Sequence, residues 1–261
     1  MAKLGALLLA AVLMASCATH REVTREETSQ LAPNGKLRVG LNFGNVLLVS
    51  KGQEGADPRG VVVDVARELG ARIGVPVQFV PYTGPGLLAE AAKSGEWDIA
   101  FLAIEPARAK TIRFTPPYVE IEAAYLVRKE SPLRGVGDVD RLGVRVAVAL
   151  GSAYDLYLTR SLKSAQLTSP KGTDAAVKDL RADKTDVVAS IRQVLAGYAD
   201  SASDVRLIEG NFMVIPQAIG MPYGRDSATN YLNAFVDDIK RSGFLQESIE
   251  RNGAQGLKVA H

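Results

Sequence analysis

The strongest constraint on the fold is an alternation of strand and helix patterns over residues 36–104. Short apolar runs typical of strands occupy residues 37–41, 75–79 and 98–104, and apolar residues at helical spacing fill residues 62–73 and 87–94. Gly74 and Gly95 stand where these two helices are predicted to end. A strand-helix-strand-helix-strand order is the signature of an α/β unit with a parallel sheet. We therefore expect a ligand to bind beyond the carboxyl ends of these strands.

The same alternation restarts in the second half of the chain. Strands or extended segments are predicted at residues 121–128, 144–149, 165–168, 187–190, 205–208 and 213–221, and helices at residues 151–162, 173–181, 192–198, 227–241 and 244–252. Ser227 is predicted to cap the longest of these helices. No sequence repeat of fixed period relates the two parts. The 261 residues suffice for two modest lobes or for one large domain, each with a proper core.

Composition argues against several classes of function. The formal net charge of +2 gives no reason to expect a nucleic-acid partner. The two histidines are His20 and His261, near the ends of the chain, and the single cysteine is Cys17. Histidine-dependent catalysis, a thiol nucleophile and the usual zinc sites therefore lack residues in the folded part, and we expect no metal and no cofactor.

The first 17 residues are predicted to be a targeting segment. A lysine precedes an apolar run over residues 4–14, which is too short to span a bilayer. The run ends in Met14-Ala15-Ser16-Cys17, which resembles the lipobox of bacterial lipoproteins, whose cysteine is acylated. This pattern predicts a periplasmic protein that is lipid-anchored to a membrane through Cys17, and the alternative is a free periplasmic protein released by ordinary cleavage. Residues 18–35 are polar and charged and are predicted to form a flexible tether.

The segment after the third predicted strand carries the main candidate for anion recognition. Glu105-Pro106-Ala107-Arg108 is predicted to be the first turn of a helix, because proline suits the first helical position. Free backbone N–H groups and the helix dipole favour an anion there, and the Arg108 guanidinium adds a bidentate donor. We expect a ligand carboxylate at Arg108, and the alternative is a surface Arg108 paired with Glu105. Asn42 and Phe43 follow the first strand and are expected to face the same crevice.

Several segments occur in one order over about residues 37–252 and together suggest a known family. They are RGVVVDVARELGARIGVPVQFVPY from residue 59, SGEWDI from residue 94, EPARAK from residue 105, FTPPY from residue 114 and Gly151-Ser152 after a later strand. This ordered set resembles the family 3 extracellular solute-binding proteins of bacterial ABC importers, the amino-acid-type periplasmic binding proteins.

The resemblance implies a periplasmic-binding-protein-like α/β fold with two parallel-sheet lobes joined by a two-strand hinge. Lobe 1 is predicted to comprise residues 36–127 and 217–261, and lobe 2 residues 128–216. The chain is predicted to cross between the lobes near residues 127–128 and 215–217. Two lobes connected in this way close over a small ligand.

The resemblance also implies a function in binding, without enzymatic activity. A monomer would capture a small carboxylate-bearing solute, an amino acid or a related organic acid, and deliver it to the permease of an ABC transporter in the membrane. Two other functions remain open. One is a periplasmic enzyme of the same fold, such as a cyclohexadienyl or prephenate-type dehydratase, for which Glu105 is the one acid predicted in the cleft. The other is a binding protein that reports to a membrane sensor.

The resemblance assigns the ligand contacts residue by residue. In the family, the arginine matched by Arg108 holds the ligand carboxylate, with help from backbone N–H groups at the position of Ser152, next to Gly151. Ser152 is equally expected to cap the helix that follows. Phe43 is expected either to cover the ligand with its ring or to pack in the core.

Two positions depart from the family pattern and bear on the kind of ligand. Ser190 stands where many members have an aspartate for the ligand's ammonium group, and Ala103 stands where a hydroxyl is usual. Losing one partner of a desolvated charge pair costs roughly 2 to 5 kcal/mol. Either Glu105 or another acid therefore substitutes, or the ligand is not a standard α-amino acid. Arg192 is expected either to meet a second anionic group or to be a solvated arginine at a helix start.

Overall fold

The computed structural model describes residues 21–52 and 56–261. The predicted targeting segment, with its lipidation site at Cys17, lies outside the described residues. The helices are α1 (Arg25–Leu31), α2 (Val61–Ile73), α3 (Pro85–Glu90), α4 (Ala153–Ser161), α5 (Thr173–Arg181), α6 (Arg192–Ser201), α7 (Asp226–Arg241) and α8 (Phe244–Arg251). The strands are β1 (Leu37–Asn42), β2 (Val77–Tyr82), β3 (Ile99–Ala103), β4 (Ile112–Phe114), β5 (Val119–Arg128), β6 (Arg145–Val148), β7 (Gln166–Thr168), β8 (Val187–Ile191), β9 (Val205–Leu207), β10 (Met213–Pro222) and β11 (Lys258–Val259).

The strands form one continuous sheet with two parallel halves. Its order is β2-β1-β3-β10-β5-β8-β6-β7. In the first half β1 runs parallel to β2 and β3, and in the second half β6 runs parallel to β7 and β8. The long strands β10 and β5 lie between the halves and pair antiparallel with each other. The carboxyl ends of the parallel strands in both halves are the edges where loops and helix starts gather.

The strands β5 and β10 change partner where the halves meet. On β5, residues 119–123 pair with β10 and residues 123–127 pair with β8. On β10, residues 213–217 pair with β5 and residues 217–220 pair with β3. The predicted crossing at residues 127–128 instead pairs with β8 and β9, well inside the second half, and the change of partner falls earlier, at Ala123.

An arginine–aspartate pair occurs at the same place in each half of the sheet. Arg38 on β1 donates from its backbone N, Nε and Nη2 to the carboxylate of Asp98 at 2.8–3.0 Å. Arg145 on β6 donates from the same three atoms to Asp186 at 2.8–2.9 Å. Each aspartate directly precedes the next parallel strand, β3 or β8. The pair therefore ties the start of one strand to its neighbour in both halves.

The turn before each aspartate is also the same. Gly95 and Asp183, each three residues before its aspartate, adopt positive φ values of 64° and 58°. The carbonyl of each accepts a hydrogen bond of 2.8 Å from Nη1 of the paired arginine. A left-handed conformation suits glycine, and aspartate is among the few other residues that tolerate it. The two halves thus share local architecture even though no repeat of fixed period relates their sequences.

The predicted flexible tether is wrong for its second part, because residues 25–31 form the helix α1. Thr24 and Glu27 form a reciprocal capping box, in which Thr24 Oγ1 accepts from the Glu27 N–H and a Glu27 carboxylate oxygen accepts from the Thr24 N–H. Leu31 is fully buried and α1 packs against α7.

The predicted helix cap at Ser227 is not formed. Ser227 instead donates a hydrogen bond to Glu26 at 2.7 Å, and α7 has no side-chain cap.

The predicted helix start at Glu105 is also wrong. Pro106 and Ala107 form a turn, and a single 3₁₀ turn, Arg108–Lys110, follows it. The strand β4 begins at Ile112 and pairs with β10, so the chain has no length for a further helical turn. No α-helix begins at Glu105, so a helix dipole at this point does not contribute to anion binding.

Candidate functional site

The guanidinium of Arg108 lies at the junction of the two halves of the sheet. The residue is only 5% exposed. Its Nη1 donates to the carbonyl of Ala103 at 3.1 Å, at the end of β3, and its Nη2 donates to the carbonyl of Gly151 at 3.0 Å, in the loop before α4. Burial lowers the pKa of Arg108 to about 10, and the nearby Glu105 carboxylate opposes this with a smaller effect. The side chain is therefore a desolvated cation at neutral pH.

This cation has no anionic hydrogen-bond partner within the part of the chain that the structure describes. Its two acceptors are backbone carbonyls, which satisfy donors without neutralising the charge. A buried, unneutralised charge is unfavourable by several kcal/mol, about 3 to 5 when a partner is removed. A carboxylate placed beside Arg108 would remove that penalty.

Arg108 lines a cavity of about 130 Å³, which is room for a small solute rather than for a single water molecule. Its lining includes the ends of β1 and β3 and the start of α3 from the first half, the starts of α4 and α5 from the second half, and part of β10. Arg108 is the one charged residue in that lining as far as the structure describes it, and the polar side chains are Asn42, Asn45, Thr83, Ser152, Tyr154, Thr173 and Gln217.

Two helix N-termini from the second half face this cavity. Ser152 caps α4, since its Oγ accepts from the Asp155 N–H at 3.0 Å. The N–H groups of Ala153 and Tyr154, the first two residues of α4, have no acceptor among the described atoms, and both residues line the cavity. Thr173 begins α5 at the same cavity. Both helices thus direct the positive ends of their dipoles towards the cavity.

Ser190, the residue that stands where many family members have an aspartate, belongs to a cluster of three neutral hydroxyl groups. Ser190 is 1% exposed, and its Oγ lies 3.2 Å from Tyr154 Oη and 3.0 Å from Thr173 Oγ1. Tyr154 and Thr173 line the cavity and Ser190 stands behind them. The three hydroxyls satisfy one another and supply no negative charge.

Glu105 is committed to a contact between the halves. It is 1% exposed, and its carboxylate binds the guanidinium of Arg160 on α4, with Oε2 2.7 Å from Nη1 and Oε1 3.2 Å from Nη2. It forms no hydrogen bond with Arg108, and it does not line the cavity. The expected substitution of Glu105 for a ligand-binding aspartate therefore has no support in this geometry.

The remaining predicted residues divide between the cavity and its surroundings. Asn42 and Ala103 line the cavity, and Gly151 contributes its carbonyl to Arg108. Phe43 is partly buried against the main core and is not part of the lining. Arg192 also lies outside it, where it binds Asn211 at 2.8 Å and Glu122 at 3.2 Å.

The structure adds lining residues that the sequence analysis missed. Tyr154 and Thr173 sit in the first turns of α4 and α5, and helix starts at the carboxyl ends of strands were a usable signal for them. Asn45 is buried, and its Oδ1 has no hydrogen-bond partner within the described residues. An acceptor left unpaired in a cavity is a position for a ligand donor.

The described residues lack a metal-binding cluster and a membrane-spanning helix. They hold no group of three or more His, Cys, Asp or Glu side chains able to bind a metal ion. Their helices are all too short or too polar to cross a bilayer.

Comparison with known sequences gives matches over most of the chain. The profile of the bacterial extracellular solute-binding proteins, family 3, matches residues 37–255. The ABC transporter glutamine-binding protein GlnH of Bacillus subtilis (strain 168) is 21% identical over 252 residues, which are 92% of each chain. The membrane-bound lytic murein transglycosylase F of Shewanella sp. (strain MR-4) is 30% identical over 154 residues, which cover 58% of this chain and 30% of that protein.

Comparison with solved structures confirms the predicted fold. The crystal structure of an ancestral amino acid-binding protein, a precursor of cyclohexadienyl dehydratase, superposes with a TM-score of 0.71 at 25% identity. The match covers 86% of this chain and 98% of that protein. The periplasmic-binding-protein-like α/β architecture is therefore common to both.

Proposed function

This chain belongs to the bacterial extracellular solute-binding proteins of family 3, and we propose that it captures a small carboxylate-bearing solute by closing two lobes over it. The lobes are the two halves of the sheet, with the boundary at Ala123 on β5 and Gln217 on β10, where the strands change partner. The observation that carries the proposal is the buried Arg108 guanidinium, which has no carboxylate partner among the described residues and lines a cavity between the halves.

The carboxylate would sit between Arg108 and the start of α4. It would accept charge-assisted hydrogen bonds from the guanidinium and from the N–H groups of Ala153 and Tyr154. Because these donors come from both lobes, the solute favours the closed arrangement over an open one. Ser152 contributes by capping the helix that presents those N–H groups.

We also propose a role in import without catalysis. Proteins of this family work with the permeases of ABC transporters, and the chain would act as a monomeric carrier for one. A dehydratase would need a positioned acid at the solute, whereas Glu105 is held by Arg160 away from the cavity lining. We further propose that the protein is periplasmic and is anchored to a membrane by a lipid on Cys17. The alternative is a free periplasmic protein.

The first test is calorimetric titration with Arg108→Ala. The purified chain is unfolded and refolded to remove bound solute, and is then titrated with α-amino acids, dicarboxylates and simple monocarboxylates. Arg108→Ala is expected to lose roughly 3 to 5 kcal/mol of binding free energy for the solute that binds, because the carboxylate then lacks its counter-charge.

The matched control is Arg181→Ala. Arg181 is an exposed arginine on α5 that pairs with exposed Asp204, so its removal takes away the same charge at a site that contributes little. Both variants should melt within a few degrees of the parent chain. If Arg108→Ala keeps its affinity within about threefold, Arg108 does not bind the solute carboxylate. If none of the titrated acids binds to the parent chain, the proposed capture of a carboxylate is wrong.

A further inference from the structure

We propose that the second polar group of the solute is neutral: the cavity is built for a short carboxylate that carries a hydroxyl, and it discriminates against the ammonium group of an amino acid. The inference deepens the proposed function and rests on it. It follows from the charges, dipoles and hydroxyls that surround the cavity.

The lining of the cavity, as far as the structure describes it, has one charged side chain, and that charge is positive. Arg108 is a buried cation, and no aspartate or glutamate stands in the lining that the described residues provide. Two buried carboxylates that adjoin lining residues in the sequence already have hydrogen-bond partners. Glu105 is bound by Arg160, and Asp155 accepts from the Gly151 N–H at 2.7 Å and from Ser169 at 2.8 Å. A solute with a single negative charge would therefore neutralise the positive charge of Arg108.

The helix starts add to the positive potential. The axes of α4 and α5 both begin at the cavity, and the free N–H groups at a helix start attract anions and repel cations. An ammonium group enclosed here would lose its water, meet no carboxylate and lie near two positive helix ends. Enclosing an unpaired charge in this way is strongly unfavourable.

The polar groups beyond the carboxylate position suit a hydroxyl. Tyr154, Ser190 and Thr173 form a chain of hydroxyls with Ser190 in the middle, so that the hydroxyls of Tyr154 and Thr173 at its ends keep hydrogen-bonding capacity for a solute. The buried Asn45 Oδ1 is an acceptor with no partner among the described residues. A solute hydroxyl can donate to one of these groups and accept from another, whereas an ammonium group is a donor only and needs a counter-charge as well.

Pairs of solutes with one carbon skeleton test the inference directly on the parent chain. The refolded full chain is titrated with L-lactate against L-alanine, L-glycerate against L-serine, and 2-hydroxy-4-methylpentanoate against leucine. In the pair that fits the cavity, the hydroxy acid should bind at least about tenfold more tightly than the amino acid. Amino acids that bind as tightly or more tightly would overturn the inference while leaving carboxylate capture intact.

A designed carboxylate provides a second readout. Thr173→Asp places a negative charge at the cavity and at the first position of α5, where aspartate is tolerated. It should shift the ratio of the two affinities towards the amino acid by about tenfold or more relative to the matched Thr173→Asn, which removes the same hydroxyl without adding a charge. An unchanged ratio in folded Thr173→Asp would count against the inference. If no member of any pair binds and Arg108→Ala changes nothing, the proposed function fails, and this inference fails with it.

Discussion

At the scale of single residues, the proposed function depends on one buried cation, Arg108. An arginine that follows an apolar strand and a proline predicted an anion position, and the structure buries it beside a cavity. The partners of Arg108 are backbone carbonyls, of Ala103 and of Gly151 in the other half, and no local pattern reports such contacts. Whether Arg108 and Ser152 contact a solute remains a prediction.

The contact made by Glu105 was harder to predict, because its partner is distant in the sequence. Glu105 is three residues from Arg108, and sequence proximity favoured a pair between them. The fold instead brings Arg160 from α4 against Glu105. Arg192 and Phe43 are similar cases, since their placement outside the cavity lining depends on contacts with Glu122 and with the main core.

The pH dependence of binding follows from the same residue. No lining residue of the described cavity other than Arg108 carries a charge, and burial lowers its pKa to about 10. Arg108 is the protonated partner of the carboxylate below that value, so binding weakens as the pH rises through it, and at acid pH once the solute carboxylate is protonated, near about pH 4. Affinity measured by calorimetry should therefore be level between about pH 6 and pH 9. A change of about tenfold within that window would show that another titrating group takes part.

At the scale of elements, most helices and strands of the described residues could be predicted, including the short strands β7 and β9, whereas α1, β4 and β11 could not. The helix α5 has the predicted bounds, and α2 ends at Gly74 in a left-handed conformation, as its sequence indicated. The helix α1 was missed because it is short and polar on its surface, and its single fully buried apolar side chain, Leu31, needs α7 to pack against. The predicted helix at Glu105 failed because β4 follows too soon.

The paired arginine–aspartate contacts predict unequal losses of stability. The Asp98 side chain is 0% exposed and also binds Arg225, whereas the Asp186 side chain is 25% exposed. Asp98→Ala leaves two arginines without their partner in the interior and should lower the free energy of unfolding by about 3 to 5 kcal/mol.

Asp186→Ala should lower it by only about 1 to 2 kcal/mol. Its two arginine partners, Arg145 and Arg128, are both 36% exposed, and both keep a second ion pair with Asp183. Urea unfolding of both variants, monitored by circular dichroism, measures the two losses under one set of conditions. Equal losses in the two variants would mean that the deeper burial of Asp98 does not increase its contribution to the free energy of unfolding.

At the scale of the whole molecule, two α/β units could be predicted from the order of elements, and their relative position could not. The register of β5 against β10 and β8 sets where the chain crosses, and this depends on pairing rather than on any local pattern. The same arrangement brings Arg108 to Gly151 and Glu105 to Arg160 across the cleft. These contacts belong to the closed state of the proposed binding cycle.

A close backbone approach across the cleft, between Gly151 and Gly86, gives a test of closure. Gly151 has a φ of +71°, and a Cβ added to it would lie 3.1 Å from the Cα of Gly86 at the start of α3. Gly151→Ala should therefore strain the closed state specifically and weaken solute affinity by roughly tenfold, since the neighbour is backbone and cannot move aside cheaply. The left-handed φ costs about 1 to 2 kcal/mol in any state and appears separately, as a lower melting temperature of the solute-free protein.

Gly86→Ala is the matched control for this prediction. A Cβ on Gly86 would lie 3.5 Å from the Cα of Gly151, an ordinary van der Waals contact, and the φ of Gly86 is not left-handed. Its affinity should stay within about threefold of the parent chain. Calorimetry gives the affinities, and small-angle scattering with and without solute reports how far each variant closes. If Gly151→Ala binds as tightly as Gly86→Ala, the two glycines do not meet in the solute-bound state, and closure must follow a different path from the one that this geometry indicates.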